Sequence, residues 1–366
     1  MHSERIMFHM RRMILATAIL GLLGAVGVSS SVVAQETNDV AAQAQKEALD
    51  TWHKSLKQTP PPTEGCFHTT YPSIIWEKEA CVPVAAHRVV LPPRFAKPAK
   101  HIQAESAPVA ADTVGDGDDY NATTSSLTNS ATGSFPSVKG VTAKGNYTLQ
   151  LNTTIGSSSA CNATYGYSSC STWEQFIYGT TGEDVSGTPP QAYIQNWIFL
   201  SDDDYSSIGC PNGWGSYDPQ DACYEDSAAV NTANVALANL GNVKLSGSAS
   251  TKGNDTVIFT YGTTAKSVSQ SGRTVSIGSI WKQSEFNVVG NGGGSGLSFN
   301  KGSSLTVNIQ VADGTTTAPK CAGPANGGTT GETNNLTLGK CTAKAGTAAK
   351  GTTAATNPSI QFTESN

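Results

Sequence analysis

The sequence predicts an all-β protein built as a two-sheet antiparallel β-sandwich of jelly-roll-like type. Three observations carry this. From Phe135 onward, apolar and polar residues alternate in NYTLQL, NVKLSGS, DTVIFTYG, RTVSIGSI and SLTVNIQV, the period of a half-buried strand. In the last of these, Leu305, Val307, Ile309 and Val311 share one face. Gly, Asn and Ser punctuate these runs every 8–15 residues or so, the rhythm of sandwich turns. Roughly 230 residues, 135–366, suit one such domain.

In chain order, the first expectation is a secretory signal over residues 1–34. Arg11 and Arg12 precede an apolar run from Met13 to Val28, and Val32-Val33-Ala34 offers a small-residue cleavage site before Gln35. The run is too short for a membrane span, and no later segment is long and apolar enough, so the mature protein is read as secreted or periplasmic. Residues 35–102 read as a pro-segment or small N-terminal cap: a helix over Asp39–Lys57, ended by Pro60-Pro61-Pro62, then a cysteine loop and the Pro-bounded stretch HRVVLPPRF. Residues 103–134, rich in Ala, Ser, Thr, Asp and Gly, read as a flexible linker. Asp116, Asp118 and Asp119 resemble a fragment of a calcium loop but lack its later Gly and Glu, and no metal or other cofactor is expected. Within the domain, Ala228–Leu240 hints at a helix, and PSIQF reads as the closing strand.

The eight cysteines fall into four couples close in sequence: Cys66–Cys81, Cys161–Cys170, Cys210–Cys223 and Cys321–Cys341. An even count suits an oxidising compartment, and no CxxC pair points to zinc. Net charge is −5. From Phe135 on, 15 acidic residues face 12 basic ones without blocks, which argues against a nucleic-acid partner. All six histidines lie at or before His101. A Ser-His-Asp triad, a Cys-His dyad or a His-ligated metal therefore cannot come from the domain alone, and its chemistry rests on carboxylates, amides, hydroxyls or Lys.

Two stretches carry candidate chemistry. Gln195 lies in QAYIQNWIFL between Ile194 and Trp197, and Glu285 lies in SIWKQSEFNVVG between Trp281 and Phe286. A polar head inside an aromatic strand costs free energy unless it is hydrogen-bonded or used. Each should project opposite to its apolar neighbours. If the strands share a sheet, the two heads are expected within about one water of each other, the reach of general-base catalysis.

These residues resemble, in order and spacing, the glutamic peptidases (eqolisins). That family runs a Trp-led strand, then a strand of the type ILQTGVDF, then AEWIVE. Here Trp173 opens TWEQFIYG, Gln195 sits in YIQNWIFL and Glu285 in SEFNVV. Trp197 and Phe199 replace the family's Gly and Asp, and CPNGWGSYDPQDACY replaces its substrate loop. The resemblance implies a secreted, acid-acting endopeptidase of β-sandwich fold. Glu285 would be general base and then acid, Gln195 would position the water and donate to the oxyanion, and Trp173, Trp197 and Tyr193 would bind a polypeptide substrate. Two other readings stay open. An extracellular glycan could bind through Trp173, Trp197, Trp214, Tyr193 and Tyr217, with Glu174 and Glu285 as a glycosidase pair. A structural surface protein would need no active residues.

Overall fold

The computed structural model describes residues 30–85, 119–180, 188–290, 296–323, 334–351 and 354–366. Most of the expected signal, residues 1–29, and the HRVVLPPRF stretch with most of the expected linker lie outside them. The first helix, α1 (Ser30–Gln58), starts nine residues before Asp39 and ends ahead of the proline run as expected. The chain divides inside it into two compact units, up to Glu47 and from Ala48 on. In the first unit, Gln43 donates to Glu47 one helical turn away. All that follows concerns the second.

The second unit is a sandwich of two antiparallel sheets, as the alternation predicts. One sheet runs β17 (Thr337–Leu338), β19 (Ser359–Ser365), β15 (Ser304–Ala312), β4 (Ser130–Lys139), β11 (Val243–Ser248), β12 (Asn254–Tyr261), β13 (Thr264–Ser271), β1 (Gly65–Thr70) and β2 (Glu77–Glu79). With β18 (Thr342–Lys344) beside β19, it has ten strands. The other runs β16 (Lys320–Ala322), β3 (Asn121–Thr123), β14 (Gln283–Gly290), β5 (Tyr147–Asn152), β6 (Cys170–Gly179), β7 (Gln191–Leu200), β9 (Ala222–Asp226) and β8 (Gly215–Tyr217). With β10 (Val230–Asn231) on β7, it has nine.

The core lies between the sheets. β15 sends Leu305, Val307, Ile309 and Val311 into it, as its alternation requires. Opposite, β14 contributes Phe286 and Val288, and β6 contributes Phe176 and Tyr178, the latter stacked on Phe259 at 4.2 Å. Two glycines make these aromatics fit. A Cβ on Gly133 would meet the Phe286 ring at 2.0 Å, and one on Gly247 would meet the Phe176 ring at 2.0 Å. That fit corrects the linker boundary. Residues 119–134 are not linker: β3 and the first half of β4 are strands of the two sheets. The run SATGS lacks apolar bulk because the facing strand supplies it. Pro136 sits inside β4 without an N–H to donate, and the pairing of β4 with β15 shifts register there, between Thr306 and Asn308.

Two local expectations fail. Ala228–Leu240 forms β10 and a 3-10 turn (Leu237–Asn242) rather than an α-helix. RTVSIGSI buries Val275 and Ile277 from a loop and 3-10 turn, not from a strand. In both, the apolar spacing marks burial, which turns achieve as well as regular elements. Two short helices add to the edges, α2 (Ala160–Ala163) and α3 (Asp202–Ser207), the latter capped by the Ser201 hydroxyl accepting from Asp204 N–H.

All four disulfides join the expected couples. Such bonds belong to an oxidising compartment. Among the described residues, no helix is long and apolar enough to cross a membrane. The N-terminal segment is woven into the sandwich: β1 pairs with β13, and Trp52 and Leu56 of α1 pack on Ala265.

Candidate functional site

Register builds the site. Across the nine-stranded sheet, Asn121 pairs with Glu285, Glu285 with Asn152, Asn152 with Gln175, Gln175 with Gln195, and Gln195 with Asp226. Directly paired residues share a face, so these six polar side chains form one row across the sheet. Their strand neighbours Phe286, Leu151, Phe176 and Ile194 go into the core, so the row faces outward.

The row is hydrogen-bonded from Glu285 to Asp226. Asn152 Nδ2 donates to Glu285 Oε2 at 3.0 Å, and Gln175 Nε2 to Asn152 Oδ1 at 2.9 Å. Trp197 Nε1 donates to Gln175 Oε1 and Gln195 Oε1, both at 3.0 Å. Gln195 Nε2 donates to Asp226 Oδ1 at 2.8 Å. Glu285 and Gln195 thus share the sheet and the face, as their flanking residues imply. They do not sit one water apart. β5 and β6 lie between their strands, a separation of about 14 Å in the hydrogen-bonding direction, and Asn152 and Gln175 fill it.

The three expected substrate-binding aromatics stand on the same face but not as an open platform. Trp173 pairs with Trp197, and each is only 1% exposed. Trp173 Nε1 donates to Thr153 O at 3.0 Å, while Trp197 lies near Phe199 and Tyr224. Tyr193 is buried with Ile177 against Val82 and Val84. Burial, with Asp226 nearby, pushes its phenol well above the usual range. These rings wall the row and fix its amides.

Beyond Glu285 the carboxyls multiply. Asn287 Nδ2 donates to Asp119 Oδ2 at 2.6 Å and to Glu364 Oε2 at 3.0 Å. Burial raises Glu364 to about 8, and it lifts Asp119 well above the carboxylate range with help from Glu285 and Glu364. On the inner side of the same sheet, Glu174 faces Asp255 of the other sheet, each 0% exposed. Glu174 Oε1 and Asp255 Oδ2 have no other hydrogen-bond donor, so one shared proton satisfies both. Burial, then Asp255, raises Glu174 far above its usual value, and burial raises Asp255 to about 6. Gln270 links the pair to Asn196 of β7 at 2.9 Å. Glu174 therefore points away from Glu285, and the two do not form a glycosidase pair across one cleft.

Asn152, Gln175 and Glu364 are the residues that reading the sequence missed, and Asp119, read there as part of a calcium-loop-like linker run, joins Asn287 instead. One signal was present: W-x-Q at 173–175 and Q-x-W at 195–197 are mirror images, as paired antiparallel strands require. Among the described residues, no three His, Cys, Asp or Glu side chains converge to hold a metal ion. No protein-family model, curated protein or solved structure matches the chain.

Proposed function

We propose that this protein is a secreted, acid-acting hydrolase of the glutamic-peptidase type, with Glu285 as its base. The observation that supports it most is the row itself: a buried carboxyl, 2% exposed, aligned by Asn152 inside a ladder of amides. Glu285 takes a proton from the attacking water and returns it to the leaving amine, so the hydrolysis balances on one carboxyl group. Asn152 and Gln175, the amides nearest to it, orient the carboxylate and the water. Gln195 acts through Trp197 and Gln175 as a positioning residue, since its own amide is turned to Asp226. The neighbouring proton-holding carboxyls suit a working range below neutral pH.

A polypeptide substrate needs this face open. The described end of the N-terminal segment lies on it: Val82 and Val84 cover Ile177 and Tyr193, and Ala85 N–H donates to Gln191 Oε1 at 2.8 Å. Gln191, Tyr193 and Gln195 alternate along β7, so this contact is two steps from the row. We read residues 35–102 as a pro-segment whose departure uncovers the site. Incubation of the full chain at about pH 4 should shorten its N-terminus, by mass spectrometry, as hydrolysis of a denatured protein begins. Activity rising with the N-terminal segment still attached and in place would remove the pro-segment role. A fully active Glu285→Gln protein would remove the peptidase reading.

The glycan reading loses Trp173, Trp197 and Tyr193, which are buried inside the protein, and keeps Trp214 and Tyr217, which stay partly exposed.

A further inference from the structure

The outward face of the ten-stranded sheet holds a second polar site. There the C-terminal half of α1 lies over Thr132 of β4, Lys244 and Ser246 of β11 and Thr260 of β12, leaving a cavity of about 180 Å³. At about 30 Å³ per water, it has room for a small ion with part of its hydration. Three ammonium groups line it: Lys54 and Lys57 from the helix and Lys244 from the sheet. One carboxylate, Asp50, also lines it and is paired with Lys244.

This composition is costly as it stands. Lys57 Nζ donates to Thr132 Oγ1 at 3.0 Å, and no carboxylate among the described residues pairs with it. Burial, then the charges of Lys244 and Lys54, pulls it down to about 8. Both ring nitrogens of His53 are buried, and none of their contacts, that to the Gly262 backbone included, reaches good hydrogen-bond geometry. Burial and Lys244 hold that imidazole down to about 4. Clustered cations and hydroxyls beside a poorly bonded imidazole are together the complement of an oxyanion, which would relieve the repulsion between the lysines.

We infer that this cavity binds a small oxyanionic group (phosphate, sulfate or carboxylate) through Lys54, Lys57 and Lys244, with His53 and Thr132 as further hydrogen-bonding partners. The site lies on the other sheet from the amide row, and because Lys54, Lys57 and His53 belong to the N-terminal segment it exists only while that segment is in place. Binding is linked to protons. The groups facing Lys57 are Lys54, His53 and Asp50 on α1 and Lys244 on β11, while the lining residues from β4, β12 and β15 carry no charge. An anion favours protonated Lys57, so affinity falls as pH rises through about 8.

Calorimetric titration of the full chain with inorganic phosphate, sulfate or galacturonate, at constant ionic strength in chloride, tests this. Saturable binding is expected at pH 6, weaker at pH 9, and weaker by about tenfold or more in Lys57→Met. Lys54→Gln, on an exposed helix position, should also weaken it and keeps the test valid should the Lys57 variant not fold. A stronger response to phosphate and sulfate than to galacturonate assigns a tetrahedral anion, and the reverse assigns a carboxylate. No saturable response to any of the three, or unchanged affinity in both variants, overturns the site.

Discussion

On the nine-stranded sheet the outward row runs Asn121, Glu285, Asn152, Gln175, Gln195 and Asp226, whereas the outward face of the ten-stranded sheet gathers Lys54, Lys57 and Lys244 around hydroxyls. Both faces use the same pleat, and both are touched by the N-terminal segment, through Val82–Ala85 on one and α1 on the other. They differ in how their polar groups are satisfied. The amide row is closed on itself by hydrogen bonds, so its geometry is set before any ligand arrives. The lysine cavity carries charge that its own residues leave uncompensated. Preorganised amides around a carboxyl suit positioning for a reaction, and uncompensated charge suits capture of an ion.

If that contrast is right, substitutions on one face leave the other's function alone. Asn152→Ala should lower hydrolysis by about 10²-fold, the scale of loss when a reacting group is misplaced by about 1 Å. Phosphate binding by the same variant should match wild type. Equal damage to both functions would mean that the variant acts through the fold.

Next in size is the pH dependence of stability, which the carboxyl clusters dominate, with His53, held to about 4, opposing them between about 4 and 6.5. Unfolded carboxyls titrate near pH 4, while Asp255 is held to about 6, Glu364 to about 8, and Glu174 and Asp119 are raised well above that ordinary range. The folded state therefore binds more protons between those values, and stability falls as pH rises from about 4 to about 8. Denaturant unfolding at pH 4 and pH 8 should show the protein firmer in acid. Glu174→Gln, which keeps the shape and removes the shared proton, should flatten the slope.

A smaller effect is expected from Trp197→Phe. It deletes the N–H that joins Gln175 to Gln195 while keeping the ring's packing. A loss of about 1 kcal/mol of stability is expected, with hydrolysis slowed less than by Asn152→Ala. A larger loss of activity than in Asn152→Ala would mean that Gln195 acts on the substrate directly.

Much of the fold was legible in the sequence, for physical reasons. The alternation of Leu305, Val307, Ile309 and Val311 survives because one face of β15 meets only core. The disulfide couples were readable because each closes a short loop, from 9 to 20 residues. What stayed hidden depends on partners. Ser130–Ser134 looks like linker until Phe286 fills the space above Gly133. Glu285 and Gln195 were legible as unusual polar heads. Their separation was not, because it depends on which strands come between β14 and β7, and β5 and β6 do.

The most direct measurement is hydrolysis of a denatured protein at about pH 4 by the wild-type chain and by Glu285→Gln, each with its N-terminal segment removed, alongside their unfolding curves. The account predicts cleavage by wild type, none by Glu285→Gln, and equal folding of the two, since the substitution is nearly isosteric. Cleavage by both proteins at the same rate, or by neither while both are folded, would contradict it.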